Sequence, residues 1–167
     1  MKDYIVFFDT ETTGLPESYK LDPRTQFDKF PRVVQLSWIL NGKEKDYIIK
    51  PDGWTIPAEA AKVHGITTER AMDEGVPWRE AFEDFAIDLE TSSAICAHNI
   101  RFDTHQICAD VCREYGYKMF EKAYLPYMLK SKQIDTMMLT IDFVQAKYKD
   151  GRIGKWPTLT ELHTKLF

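Results

Sequence analysis

The sequence is short of cysteine, of any excess of one charge, and of long apolar runs. Its three cysteines, Cys96, Cys108 and Cys112, are an odd number in a chain of 167 residues. This excludes the disulfide-rich scaffolds of small secreted domains, and the thiols read as reduced, mostly buried groups of a cytoplasmic protein. Cys108 and Cys112 stand four apart on a helical stretch, but no second pair and no well-placed His completes a zinc set, so they read as packing. Runs such as IVFF are far too short to cross a bilayer, and Asp3 and Asp9 bracket a stretch too brief for a signal peptide. A formal net charge of -4 supplies no general basic field. A polyanionic partner must therefore be held locally, by metal ions or a small basic patch. There are no repeats, low-complexity tracts or linkers, and residues 1–167 read as one domain with 44% hydrophobic and 29% charged residues.

What is present alternates between strand and helix patterns. YIVFF is a continuous apolar run that reads as a central strand covered on both faces. Residues 16 to 31 are polar, hold three prolines and read as a surface loop. VVQLSWIL and KDYIIK flank an Asn-Gly pair, the signature of a hairpin. IPAEAAKVHG reads as a short helix with Pro57 near its start and Gly65 as terminator. Trp78, Ala81, Phe82, Phe85, Ala86 and Leu89 share one face of a longer helix. SSAICA reads as a buried strand, after which Asn99 is placed to cap a helix running through Ile107 and Val111. MMLTIDFVQAKY reads as a further helix. Thr158 and Glu161 form a capping box before LTELHTKLF, with Leu159, Leu162 and Leu166 on one face. The whole predicts an α/β domain with a mixed sheet.

The acids at the end of the first strand set the functional question. Residues i and i+2 of a strand face the same way, roughly 6.6 Å apart. Asp9 and Glu11 therefore present oxygen-only ligands side by side, a set suited to hard cations such as Mg²⁺ or Mn²⁺. A second strand-to-helix step, AICAHNIRFD, places Asp103 in the first turn of a helix. The helix dipole alone favours an acid there, and a bare D-x-E is more often a pair of solvated turn residues. Convergence of the two steps on one metal centre is the alternative.

FDTETTGL and HNIRFD together resemble the first two motifs of the DEDD, or DnaQ-like, 3′–5′ exonucleases. KVHGIT and the DTM at Asp135 are similar to further segments of the proofreading-subunit branch. The resemblance implies a ribonuclease H-like fold, two Mg²⁺ or Mn²⁺ ions, and release of 5′-mononucleotides from the 3′ end of a single strand. It leaves a DNA polymerase open as a partner, and implies no membrane. Carried onto this sequence, it implies that Asp9 bridges both metals, Glu11 holds the first, and Asp103 completes the second. Thr12, Gly14, Leu15, His64, Asn99 and Phe102 match substrate-side positions. Three of these have a plainer reading beside them: His64 as a helix C-terminal residue, Phe102 as core and Asn99 as an N-cap; His98, a candidate base, likewise reads as a satisfied His at the end of a buried strand.

The family's third motif, a His with an Asp five residues on in a C-terminal helix, finds no match in the C-terminal part of the sequence, where the His present is His163. The sequence therefore reads as the amino-terminal part of a longer exonuclease, with little or no activity by itself. Two other readings stand beside it: a non-catalytic nucleic-acid-binding or scaffold module of the same fold, and a ribonuclease H-like enzyme that cuts internally.

Overall fold

A computed structural model describes residues 4–124 and 132–167. Five strands, β1 (Ile5–Thr12), β2 (Val33–Leu40), β3 (Lys43–Ile48), β4 (Ala94–Ala97) and β5 (Lys132–Asp135), form one sheet of order β3-β2-β1-β4-β5. β1 and β2 pair antiparallel, as do β2 and β3, whereas β4 lies parallel to both β1 and β5. The mixed α/β sheet expected from the alternating pattern is thus present, with β1 at its centre. β2 turns into β3 through Asn41 and Gly42 alone, both at positive φ (52° and 75°). That two-residue turn matches the right-handed twist of the paired strands.

Helices α1 (Ala58–His64), α3 (Trp78–Thr91) and α4 (Ile100–Tyr115) follow the sequence signals closely, with α2 (Thr68–Glu74) between the first two. α1 stops where Gly65 takes the left-handed conformation at φ 78°. α2 was not foreseen; the Thr67 side chain caps it by accepting the Arg70 N–H. α3 turns Ala81, Phe82, Phe85 and Leu89 inward as its periodicity requires. The main core joins that face to Val6 and Phe8 of β1, Leu36 and Trp38 of β2, and Ile107 and Val111 of α4. Phe85 sits at its middle, with ring centroids 5.6 Å from Phe8 and 5.1 Å from Trp38. A smaller cluster packs α1 and α2 against Val34 of β2 through Ile56, Ala60, Ile66 and Ala71.

Three expectations need correction. β1 does not stop at Phe8 but runs on through the acids to Thr12, and it is not covered on both faces. Val6, Phe8, Thr10 and Thr12 are buried, whereas Phe7 is 50% exposed and its cross-strand neighbour Ile39 is also open. The apolar run conceals this alternation because Phe7 is aromatic but lies on the open side. The predicted helix over MMLTIDFVQAKY is two short ones, Thr136–Leu139 and Ile141–Val144, ending at Gln145 in a left-handed conformation. In Leu159–Leu166 the capping box is present, but of its three leucines only Leu162 is buried. The three cysteines are buried free thiols, as expected. No helix among the described residues is long and apolar enough to cross a membrane.

Candidate active site

The two faces of β1 carry different chemistry at its carboxyl-terminal end. Asp9 and Glu11 lie on the open face, opposite Ser37 and Gln35 of β2. Ser37 and Gln35 both donate to one oxygen of Asp46 on β3, at 2.6 and 2.7 Å, which fixes the polar row flanking the acids. The β1–β2 register slips between Glu11 and Thr12, a local irregularity of the kind that re-aims side chains beside active sites. Beyond it the Thr12 hydroxyl donates to Gly14 O at 2.7 Å, folding the loop back on itself. Gly14, at φ 153°, has open space where a side chain would stand, and Leu15 is largely exposed.

The alternate residue Thr10 faces the helices. Asp103, in the first turn of α4 and only 2% exposed, accepts the Thr10 N–H at 3.1 Å and the Thr10 hydroxyl at 2.7 Å through the same oxygen. Acids from two distant parts of the chain are thereby tied to one strand end. Their electrostatics show the crowding. Burial, opposed by the Thr10 bonds but reinforced by the charge on Asp9, pushes Asp103 up to about 7. Loss of water also raises Glu11, with Asp9 adding to it. Asp9 is raised by desolvation too, with the Thr10 backbone and the nearby His98 pulling the other way.

Mutually repelling carboxylates that make no ion pair with Lys or Arg among the described residues suit a site for an added cation. The donor set, all carboxylate oxygens, fits Mg²⁺ or Mn²⁺ in kind. As they stand, the acids do not form a closed cage: among the described residues, no group of three or more His, Cys, Asp or Glu side chains is arranged to hold a metal.

The flanking residues divide. Asn99 occupies the N-cap position of α4 but makes no side-chain cap bond, because it takes the left-handed conformation (φ 69°). Its N–H is held instead by Asp135 Oδ1 at 3.1 Å, an oxygen that also accepts Met137 N–H and Met138 N–H. Asp135 thus joins the end of β5 to the turn that launches α4. His98 lies between the Thr136 hydroxyl at 3.1 Å and Pro157 O at 2.9 Å, both ring nitrogens engaged, in line with its structural reading. His64 closes α1, its Nδ1 accepting Ile66 N–H at 3.1 Å. Burial lowers its pKa, opposed by the Thr12 backbone beside the ring, yet Nε2 makes no bond of proper geometry. The helix-ending His therefore also stands next to the D-x-E-T segment. Phe102 is half-buried, with its N–H on Asn99 O at 2.8 Å.

Sequence reasoning missed Asp110, seven residues after Asp103 on α4. It is buried and accepts Val33 N–H at 2.7 Å, Arg113 at 2.7 Å and Arg32 at 3.0 Å. Burial raises its pKa, and the two guanidiniums oppose that. The available signal was an acid beside Val111 inside an otherwise apolar stripe. His105 and Asp110 happen to share the five-residue His–Asp spacing, but Asp110 is consumed by these partners and His105 packs edge-on against Phe30.

A family model described as exonuclease, of the RNase T type, matches residues 6–164. No curated protein matches the chain significantly. Among solved structures, Escherichia coli exonuclease I in complex with a dT13 oligonucleotide aligns with TM-score 0.65 and 17% identity over 91% of this chain and 33% of that one. An exonuclease I–SSB C-terminus complex gives TM-score 0.72 and 18% identity over 99% and 36%. Exonuclease I from Methylocaldum szegediense gives 0.64 and 19% over 92% and 33%. The chain therefore spans about a third of the length of these enzymes, and the likeness establishes a ribonuclease H-like fold. With the exonuclease match covering nearly its whole length, the chain is a member of the exonuclease family, in the DEDD (DnaQ-like) group that its motifs resemble.

Proposed function

We infer that the chain carries the metal-binding part of a 3′–5′ exonuclease that releases 5′-mononucleotides from single-stranded ends. The observation that supports this most directly is the pair of bonds from Thr10 to Asp103, which brings the second-motif acid to the strand bearing Asp9 and Glu11. Asp9, Glu11 and Asp103 would hold Mg²⁺ or Mn²⁺, and the ions would stabilise charge on the attacking and leaving oxygens of the phosphodiester. The protein's own part is placement. Thr10 holds Asp103, Asp135 holds the turn before α4, and Gly14 leaves the backbone open where a terminal nucleotide would approach. Leu15 offers exposed apolar surface to a base.

Single-stranded DNA is the substrate class we favour, since exonuclease I is known in complex with dT13 and dA16 oligonucleotides. Activity of the 167 residues alone should be low. Without the third motif no residue among the described ones is placed to take the proton of the attacking water, a loss of about 10²–10⁴-fold. The test is incubation with Mn²⁺ and a single strand labelled in its 3′-terminal nucleotide. We expect slow mononucleotide release, dependent on metal and abolished by Asp9→Ala. Oligonucleotide products would sink the end-directed reading, and release that survives both chelation and Asp9→Ala would sink the metal centre.

A further inference from the structure

At the start of β2 lies a pocket of about 280 Å³ that plays no part in the site above. Arg32, which opens the pocket, follows the β1 ladder directly: Thr13 N–H donates to Arg32 O at 2.9 Å, and Thr13 Oγ1 accepts Arg32 N–H at 2.9 Å. Arg32 thus stands opposite Thr13, two residues beyond Glu11 in the chain.

Two indoles line it, Trp54 and Trp78, and both are held before any ligand arrives. The Arg32 guanidinium lies 5.6 Å over the Trp54 ring, and Trp78 stacks on Phe82 with centroids 5.6 Å apart. Four cations, Arg32, Lys50, Arg79 and Arg113, share the lining. Arg113 is spent on Asp110 and on Phe27 and Phe30 carbonyls, and Arg79 on Glu114. Lys50 makes no ion pair among the described residues, and Arg32 uses one of its two terminal nitrogens on Asp110. The Lys50 backbone is fixed by its N–H on Val76 O at 2.8 Å.

We propose that this pocket binds an unpaired nucleotide of the substrate strand, its base on the fixed indoles and its phosphate on Lys50 and Arg32. The proposal rests on the nuclease reading and extends it to a second site of contact. Sequence-tolerant grip on a single strand is built from this combination of stacking surface and nearby cations. A chain of net charge -4 has to concentrate such cations locally if it is to hold a polyanion. Of the pocket's carboxylates, Asp110 and Glu114 are already paired with Arg113 and Arg79, so they do not bar a phosphate from Lys50 and Arg32. A base amino group can donate to the remaining Asp52.

The test is fluorescence anisotropy with a labelled oligodeoxyadenylate in EDTA, where cleavage cannot occur. Trp54→Leu should weaken binding about tenfold, and Lys50→Glu by a similar factor. Lys43→Glu, the same charge change on β3 away from the pocket, should leave it within about twofold. An abasic oligomer should bind wild type and Trp54→Leu alike. Should Trp54→Leu fold poorly, Lys50→Glu against Lys43→Glu decides alone, because both side chains are exposed. Equal losses in the two lysine variants, or displacement of the oligomer by an acidic peptide but not by adenosine monophosphate, would overturn the pocket. Metal-dependent nucleotide release, measured separately with Asp9→Ala as control, shows whether the nuclease reading stands when the pocket does not.

Discussion

Asp103 Oδ1 takes both its hydrogen bonds from Thr10, the residue between Asp9 and Glu11. One strand therefore works in two directions. Its odd-numbered side chains present carboxylates to the open face, and its even-numbered ones anchor the helix that brings the third acid. The arrangement needs β1 to stay extended through the acids, which its pairing with Ser37, Leu36 and Gln35 of β2 enforces.

Replacing Thr10 by Val removes the hydroxyl while keeping the branched shape and the backbone N–H. Bonds to a charged acceptor contribute about 1.5–3 kcal/mol, and Asp103 has little water to replace the lost one. We expect Thr10→Val to lower the urea midpoint and to weaken Mn²⁺ binding by calorimetry, and Thr10→Ser to remain near wild type. Equal metal affinity in all three proteins would show that the bond does not position Asp103.

Asp103 should also shape the pH dependence of the metal-free protein. Its carboxyl sits at about 7 in the folded chain, against about 3.9 when unfolded, so the folded state holds the extra proton between these values. The stability it contributes is fully present below about pH 4 and is lost as pH rises to about 7. Three units at about 1.4 kcal/mol each set the scale, on the order of 4 kcal/mol. In EDTA, Asp103→Asn should flatten this decline in thermal scans and be the more stable protein at pH 7.5. A variant less stable than wild type at that pH would contradict the raised value.

Asp110→Ala should be among the most damaging single changes. It leaves Arg113 with one side-chain partner fewer in a half-buried position, and frees the Val33 N–H at the start of β2. Breaking a buried ion pair from one side costs about 3–5 kcal/mol. Asp110→Asn keeps an acceptor for Val33 and should lose less, a ranking that urea denaturation can check.

Gly75 has no room for a methyl group. A Cβ there would stand 2.3 Å from Ala71 O and 2.7 Å from Lys50 N, both backbone atoms that cannot swing aside. Gly75→Ala should cost about 1–3 kcal/mol by forcing β3's continuation away from α2. It should also loosen oligonucleotide binding at the pocket that Lys50 lines. A neutral melting temperature would rule out this close approach.

The parts of the fold that were legible in the sequence were those set by local chemistry. The Asn41-Gly42 turn, the apolar face of α3, the Gly65 stop and the Thr158–Glu161 box each depend on residues a few positions apart. The features that were missed depend on distant partners. Asn99 looks like an N-cap by type, but its conformation is set by Asp135, thirty-six residues away. Asp110 looks like a solvated helix acid until Arg32 is folded against it, and Phe7 looks like core until β1's two faces are told apart. At the candidate site, Asp9, Glu11 and Asp103 were readable as motif residues, whereas the role of Thr10 was not, because its contact spans ninety-three residues.

α4 is riveted to the sheet at two points about 10 Å apart along its axis, Asp103 on β1 and Asp110 on the start of β2. A helix fastened twice cannot slip lengthwise without tearing both fastenings. Damage where β2 begins should therefore travel down the helix as a rigid strut and surface as misplacement of a carboxylate it never touches.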